Sequence, residues 1–120
     1  MERLRAEQGA AATWAQGVVK DLSGRSPTSL KITHRLVRLA RDFDLRETLR
    51  YDFRLACRCL DGHDFYEGVR AVLVDRDGAP KWWPERLEDV SEAMVDGYFA
   101  PLGADDLKLP SRAEMQGFAR

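Results

Sequence analysis

Apolar residues recur along this chain at intervals of three and four, and no segment alternates with period two for long. Such spacing lines one face of an α-helix and cannot line one face of a strand, so it confines the chain to an all-α fold. Trp14, Val18 and Leu22 make the first stripe, and Ile32, Leu36, Leu39 and Phe43 the second. Leu45, Leu49, Phe53, Ala56 and Leu60 make a third; Phe65, Val69 and Val72 or Leu73 make a fourth.

Start and stop signals divide these stripes into a bundle of about five or six short helices. Gly9 splits the first stretch, and Ser23-Gly24-Arg25 ends it with glycine where helices commonly stop. Ser26 can cap the next helix, and Pro27 fits its first position, where a missing N–H costs nothing. Asp44 to Glu47 and Asp64 to Glu67 both have the spacing of a capping box, and each is read as opening a helix. Asp61-Gly62 closes the helix between them. The run Asp75 to Pro80 is dense in turn residues. Lys81-Trp82-Trp83-Pro84 then reads as an extended strap, because the residue before a proline is pushed out of the α region. Glu85 to Val90 reads as a loose helical turn, and Ser91 caps a last helix through Phe99. The helical domain is accordingly placed at residues 1–103 and an irregular tail at 104–120, where Leu107, Leu109 and Phe118 show no clear period. That tail is expected to be partly disordered or to lie on a neighbour's surface.

A chain of 120 residues can bury only a modest single core. Its 19 Lys and Arg balance 20 Asp and Glu, so no global field points to nucleic acid or to a membrane surface. No apolar run approaches the roughly 20 residues that span a bilayer, and Met1 to Arg5 has no apolar stretch behind its charges, unlike a secretory signal. Cys57 and Cys59 stand two apart on a helix and point to different faces, which suits two reduced thiols in a cytoplasmic compartment. No zinc or other metal spacing is present in the sequence.

The search for chemistry returns mostly structure. His34 lies among Lys31, Arg35 and Arg38 and reads as a surface residue; His63 reads as part of a helix start. Asp75-Arg76-Asp77-Gly78 imitates the opening of a calcium loop, but the later ligands do not follow at the right places. Lys31, Arg35, Arg38 and Arg41 form a cationic stripe, either a solvated face or a wall for an anionic ligand. Of Trp82 and Trp83, one ring is expected on the chain's own core, leaving the other for a partner or an adenine. No catalytic residue is assigned.

Four segments resemble the 3-hydroxyisobutyryl-CoA hydrolases of the crotonase (enoyl-CoA hydratase/isomerase) superfamily. They are Ser26 to Thr33, Gly62 to Leu73, Pro80-Lys81-Trp82 and Tyr98 to Leu102, in the family's order. The resemblance implies hydrolysis of a short branched 3-hydroxyacyl-CoA thioester in valine breakdown. It also implies that the oxyanion hole and the catalytic acids lie in a larger N-terminal core, so that this chain corresponds to the C-terminal helical region. Coenzyme A enters as part of the substrate, with Lys31, Arg70 and Lys81 as candidate contacts. Related crotonases use an aromatic residue and a lysine after the Glu-Gly block to touch CoA across subunits. Here Val72 and Asp75 stand near those places, and neither fits. The expected partner is a crotonase-type core, or a second copy meeting exposed helix faces, because six short helices cannot bury all these stripes. The competing reading is a non-catalytic interaction or oligomerisation module.

Overall fold

A computed structural model of the chain describes residues 1–110 and 112–118. The described residues contain helices and no strand. They form α1 (Glu2–Arg5), α2 (Ala12–Ser23), α3 (Pro27–Leu39), α4 (Leu45–Leu60), α5 (His63–Val69), α6 (Glu92–Phe99) and α7 (Arg112–Phe118). Short 3₁₀ turns follow α3, precede α6 and follow α6, and a π-helical turn at Arg70–Val74 prolongs α5.

The local signals act largely as their chemistry dictates. Ser26 Oγ accepts from the Ser29 amide at the head of α3, Asp44 from the Glu47 amide at α4, and Ser91 from the Met94 amide at α6. Each such cap satisfies an amide that the helix cannot, and is worth about 0.5–2 kcal/mol. Gly9 takes a left-handed φ of +93° and separates α1 from α2. The strap Lys81 to Pro84, expected to be extended, is neither helix nor strand and bends at Trp83 and Pro84, whose peptide is cis. Residues 104–120, expected to be irregular, contain α7 instead. Arginines on α4 hold this tail. Arg54 grips Asp106 through Nε and Nη2 at 3.0 and 2.7 Å and donates to the Phe99 carbonyl at 3.1 Å. Arg46 donates to the Pro110 carbonyl at 2.8 Å, and Arg58 to that of Pro101 at 3.3 Å.

The core is small. Ile32, Leu55, Val90 and Val95 pack together, with Leu36, Tyr98 and Phe99 around them. α4 lies against α5 and α6, and α3 against α6. α4 is apolar on two sides. Leu55 is 6% exposed and faces the core, whereas Leu45, Leu49, Phe53 and Leu60 are 74, 43, 38 and 47% exposed. The third stripe of the sequence therefore lies on the outside. Val72, Leu73 and Val74, at the end of the π-helical turn, are exposed as well.

Two dimensions express the same excess. The radius of gyration is 18.2 Å, against about 14 Å for a compact domain of this length. The accessible surface is 9176 Å², roughly 2,600 Å² more than a folded monomer of this mass exposes. Truncation at the two sides of α4 separates them. Leu55→Ala lowers unfolding free energy by about 2–5 kcal/mol, whereas Leu45→Gln stays within about 0.5 kcal/mol and lowers any self-association through that face. Urea titration followed by circular dichroism, with sedimentation velocity on the same samples, measures both.

Candidate functional site

The polar centre of the molecule is one face of α5. Gly62 is the N-cap of this helix and offers no side-chain cap, so Asp64 falls in its first turn, two residues past the cap, and is free for other work. Its Oδ2 accepts from Ser26 Oγ at 2.5 Å, and its Oδ1 accepts from the Trp83 amide at 2.8 Å. His63 Nδ1 lies 3.0 Å from the same Oδ1. Glu67, one turn later, accepts the Lys81 amide at 2.7 Å and both Nε and Nη2 of Arg70, at 2.9 and 2.8 Å. The second capping box of the sequence is thus no cap: its two carboxylates tie the strap and the head of α3 to α5.

Space had to be left for this. A Cβ on Gly68 would stand 3.3 Å from the Trp82 ring, so glycine lets the indole approach α5 without having to shift by a few tenths of an ångström. Trp82 Nε1 then reaches the Gly24 carbonyl at 3.0 Å. Trp83 is 71% exposed, and Trp82 is half-buried against α5 rather than in the small core. Beneath the strap opens a cleft of about 520 Å³, walled by Ser26, Ile32, Phe65, Val72, Trp82 and Tyr98 among others. It offers no activated nucleophile. Burial and the nearby Asp64 push the Cys59 thiol up, and burial with Cys59 and Asp64 does the same to Tyr98.

The three candidate coenzyme contacts fare differently. Arg70 is enclosed by Glu67, Asp75 and Asp77, the latter two each 2.7 Å from Nη1. Those carboxylates, Glu67 first, raise its pKa further, and Arg70 in turn holds Asp77 low. The turn that imitates a calcium loop is therefore an arginine clamp. Lys31 Nζ donates to the Val90 carbonyl at 2.5 Å, at the entrance to α6. Of these three, only the Lys81 ammonium has no hydrogen-bond or ion-pair partner among the described residues. Arg70 and Lys81 meet on Glu67, and Lys31 stands apart. The cationic stripe dissolves in the same way: Arg35 turns onto Asp96 and Glu92 at 2.5 and 2.6 Å, leaving Arg38 and Arg41 exposed. His34 is exposed, and both cysteines are free and half-buried.

A family model described as enoyl-CoA hydratase/isomerase matches residues 1–99. The chain belongs to this family. The mitochondrial 3-hydroxyisobutyryl-CoA hydrolase of Xenopus laevis is 47% identical over 109 residues, 91% of this chain and 28% of that protein. The protein of the same name from Homo sapiens is 44% identical over 97 residues, 81% of this chain and 25% of its own length. The crystal structure of a carnitinyl-CoA dehydratase from Mycobacterium thermoresistibile matches with a TM-score of 0.74 at 40% identity, over 88% of this chain and 29% of that one. The chain thus spans little more than a quarter of these relatives. The two hydrolases are named mitochondrial, which runs against the cytoplasmic expectation. Among the described residues no helix is long and apolar enough to cross a membrane.

The four segments that carried the family resemblance are the pieces of this one site. Ser26 comes from the first, Asp64, Glu67, Gly68 and Arg70 from the second, Lys81 and Trp82 from the third, and Tyr98 from the fourth. The roles of Asp64 and Glu67 escape a sequence reading because their spacing is identical to that of the true cap at Asp44 and Glu47. Only Gly62, a residue that can serve as N-cap itself, hints at the difference.

Glu67 also gives the site a pH signature. Arg70 first, and then the Lys81 amide, bring its pKa from the ordinary 4.5 to about 2. A carboxylate lowered by folding stabilises the fold above its unfolded pKa, and that stabilisation disappears as pH falls through the folded value. Between pH 4.5 and about 2 the parent therefore loses stability that Glu67→Gln lacks throughout. Thermal melts at half-unit pH steps should converge for the two proteins at the acid end.

Proposed function

We propose that this chain is the C-terminal helical portion of a 3-hydroxyisobutyryl-CoA hydrolase-like protein, packing on the family's larger core and helping to close its acyl-CoA site. The observation that carries this reading is the disproportion in coverage. The Xenopus laevis hydrolase matches 91% of this chain with 28% of itself. Nearly everything here has a counterpart there, and most of that protein lies outside the match. The surplus surface agrees, since roughly 2,600 Å² is what a segment built to be covered should leave bare. On this reading water attacks the thioester carbonyl, the C–S bond breaks and CoA leaves as the thiol. The groups that drive the attack reside on the core. Lys81 is the candidate for a CoA phosphate, because its ammonium is uncommitted, whereas Arg70 and Lys31 chiefly hold the fold.

The exposed stripe on α4 supports a second reading, a non-catalytic module that pairs through its helices. Thiol release from 3-hydroxyisobutyryl-CoA separates the two. The chain alone should release none, and adding it to the Xenopus laevis hydrolase truncated of its matching segment should restore turnover at least about tenfold. Turnover by the chain alone would sink the first reading. Self-association without any restoration would favour the second.

A further inference from the structure

The cleft beneath the strap holds one hydrogen-bonding group that is unpaired and still reachable. The Tyr98 hydroxyl makes no hydrogen bond among the described residues, yet it is not sealed off: the side-chain polar atoms that are both buried and unpaired are Thr28 Oγ1 and Arg58 Nε. Tyr98 is half-buried and lines the cleft. Gly62 keeps space beside the oxygen, since a Cβ there would stand 3.2 Å from it. Burial, then Cys59 and Asp64, push the phenol pKa up. The group is therefore a neutral donor, suited to an uncharged acceptor such as an amide carbonyl.

The rest of the lining says what such a ligand must be. Asp64 puts a carboxylate near the phenol, which disfavours a second anion in the same space. Ile32, Phe65 and Trp82 supply apolar walls, while Arg25 and Ser29 add polar side chains that are exposed and have no partner among the described residues. The volume of about 520 Å³ lies within the roughly 300–1,000 Å³ of small-molecule sites. A neutral chain of methylenes interrupted by amides meets all of these conditions. Its carbonyls accept from the phenol, the Ser29 hydroxyl and the Arg25 guanidinium, its methylenes lie on the apolar walls, and it brings no charge to Asp64. The arm of coenzyme A between its nucleotide and its sulfur is a chain of this kind, whereas the nucleotide half carries the phosphates.

We propose that the cleft between α3, α5 and the strap is a subsite for the pantetheine arm of an acyl-CoA, with Tyr98 donating to one of its amide carbonyls. This rests on the reading of the chain as a part that helps to close an acyl-CoA site.

The two halves of the coenzyme test it separately. Titrated into the parent chain under reducing conditions, pantetheine should bind saturably and shift the NMR signal of the Trp82 indole N–H, and adenosine 3′,5′-bisphosphate should do neither. Tyr98→Phe keeps the ring and removes the donor, and should weaken pantetheine about two- to tenfold. Absence of saturable pantetheine binding, a preference for the bisphosphate, or an unmoved Trp82 signal would each overturn the proposal, and these comparisons need no variant. Equal affinity of Tyr98→Phe and parent would overturn it too. Displacement of bound pantetheine by the truncated Xenopus laevis hydrolase without substrate would give the cleft to the core polypeptide instead, with the same result. If the parent chain restores thiol release to that truncated hydrolase but binds no pantetheine, this inference falls alone. If it restores none, the acyl-CoA reading falls and takes this inference with it.

Discussion

Two carboxylates one turn apart hold together four pieces of chain that have little else in common. Asp64 and Glu67 sit on a helix of seven residues, too short to persist in water by its own hydrogen bonds. What fixes it is what it binds: the head of α3 through Ser26, and the strap through the amides of Trp83 and Lys81. Every one of these bonds has an ionised acceptor, and such bonds are roughly twice as strong as neutral ones. The strap has no sheet to join and no helix to extend, so side-chain carboxylates stand in for the partners its backbone would otherwise lack. Arg70 then bridges Glu67 to Asp75 and Asp77, which draws the following turn back against the same helix. Remove the pair, and the cleft loses one wall and its roof together.

The tail is held by the same kind of chemistry on the other side of the core. Arginines at positions 46, 54 and 58, spaced in multiples of four along α4, reach the chain beyond α6. The Arg54–Asp106 pair is bidentate and little exposed, at 12 and 22%, which places it above the ordinary surface ion pair. Arg54 also lies over the Tyr51 ring at 5.0 Å. Tyr51 in turn stacks on Phe43 with ring centroids 4.7 Å apart. A fold with so few buried aliphatic side chains thus uses guanidinium and aromatic contacts where a larger domain would use leucine.

The sequence was most informative about local structure, because caps and breakers act within a few residues. Ser26, Asp44 and Ser91 cap as their spacing says, Gly24 ends α2, and Gly9 stands in the turn between α1 and α2. It was least informative where one pattern has two outcomes. Asp64 and Glu67 copy the pattern of Asp44 and Glu47, yet a shift of two residues in the helix start turns a cap into a hub. Arg35 and Lys31 look like a solvated stripe until α6 folds across them. The tail helix lacks an apolar period, and among its contacts is Arg46, a residue 69 positions away that donates to the Met115 sulfur. In each case the deciding partner lies far along the chain, beyond the reach of spacing rules.

The two-sided character of α4 bears on how substitutions in such a protein are to be judged. Leu45, and to a lesser degree Leu49 and Leu60, stand exposed in this chain, so its own stability registers their loss less than that of Leu55. On the proposed reading, in which the family's larger core covers that side, the same residues become interior, where truncating one removes several kcal/mol (about 2–5). A variant at these positions can therefore look innocent in the isolated chain and be ruinous in the whole molecule. On that reading the outer face of α4 carries a tolerance that belongs to the isolated chain alone.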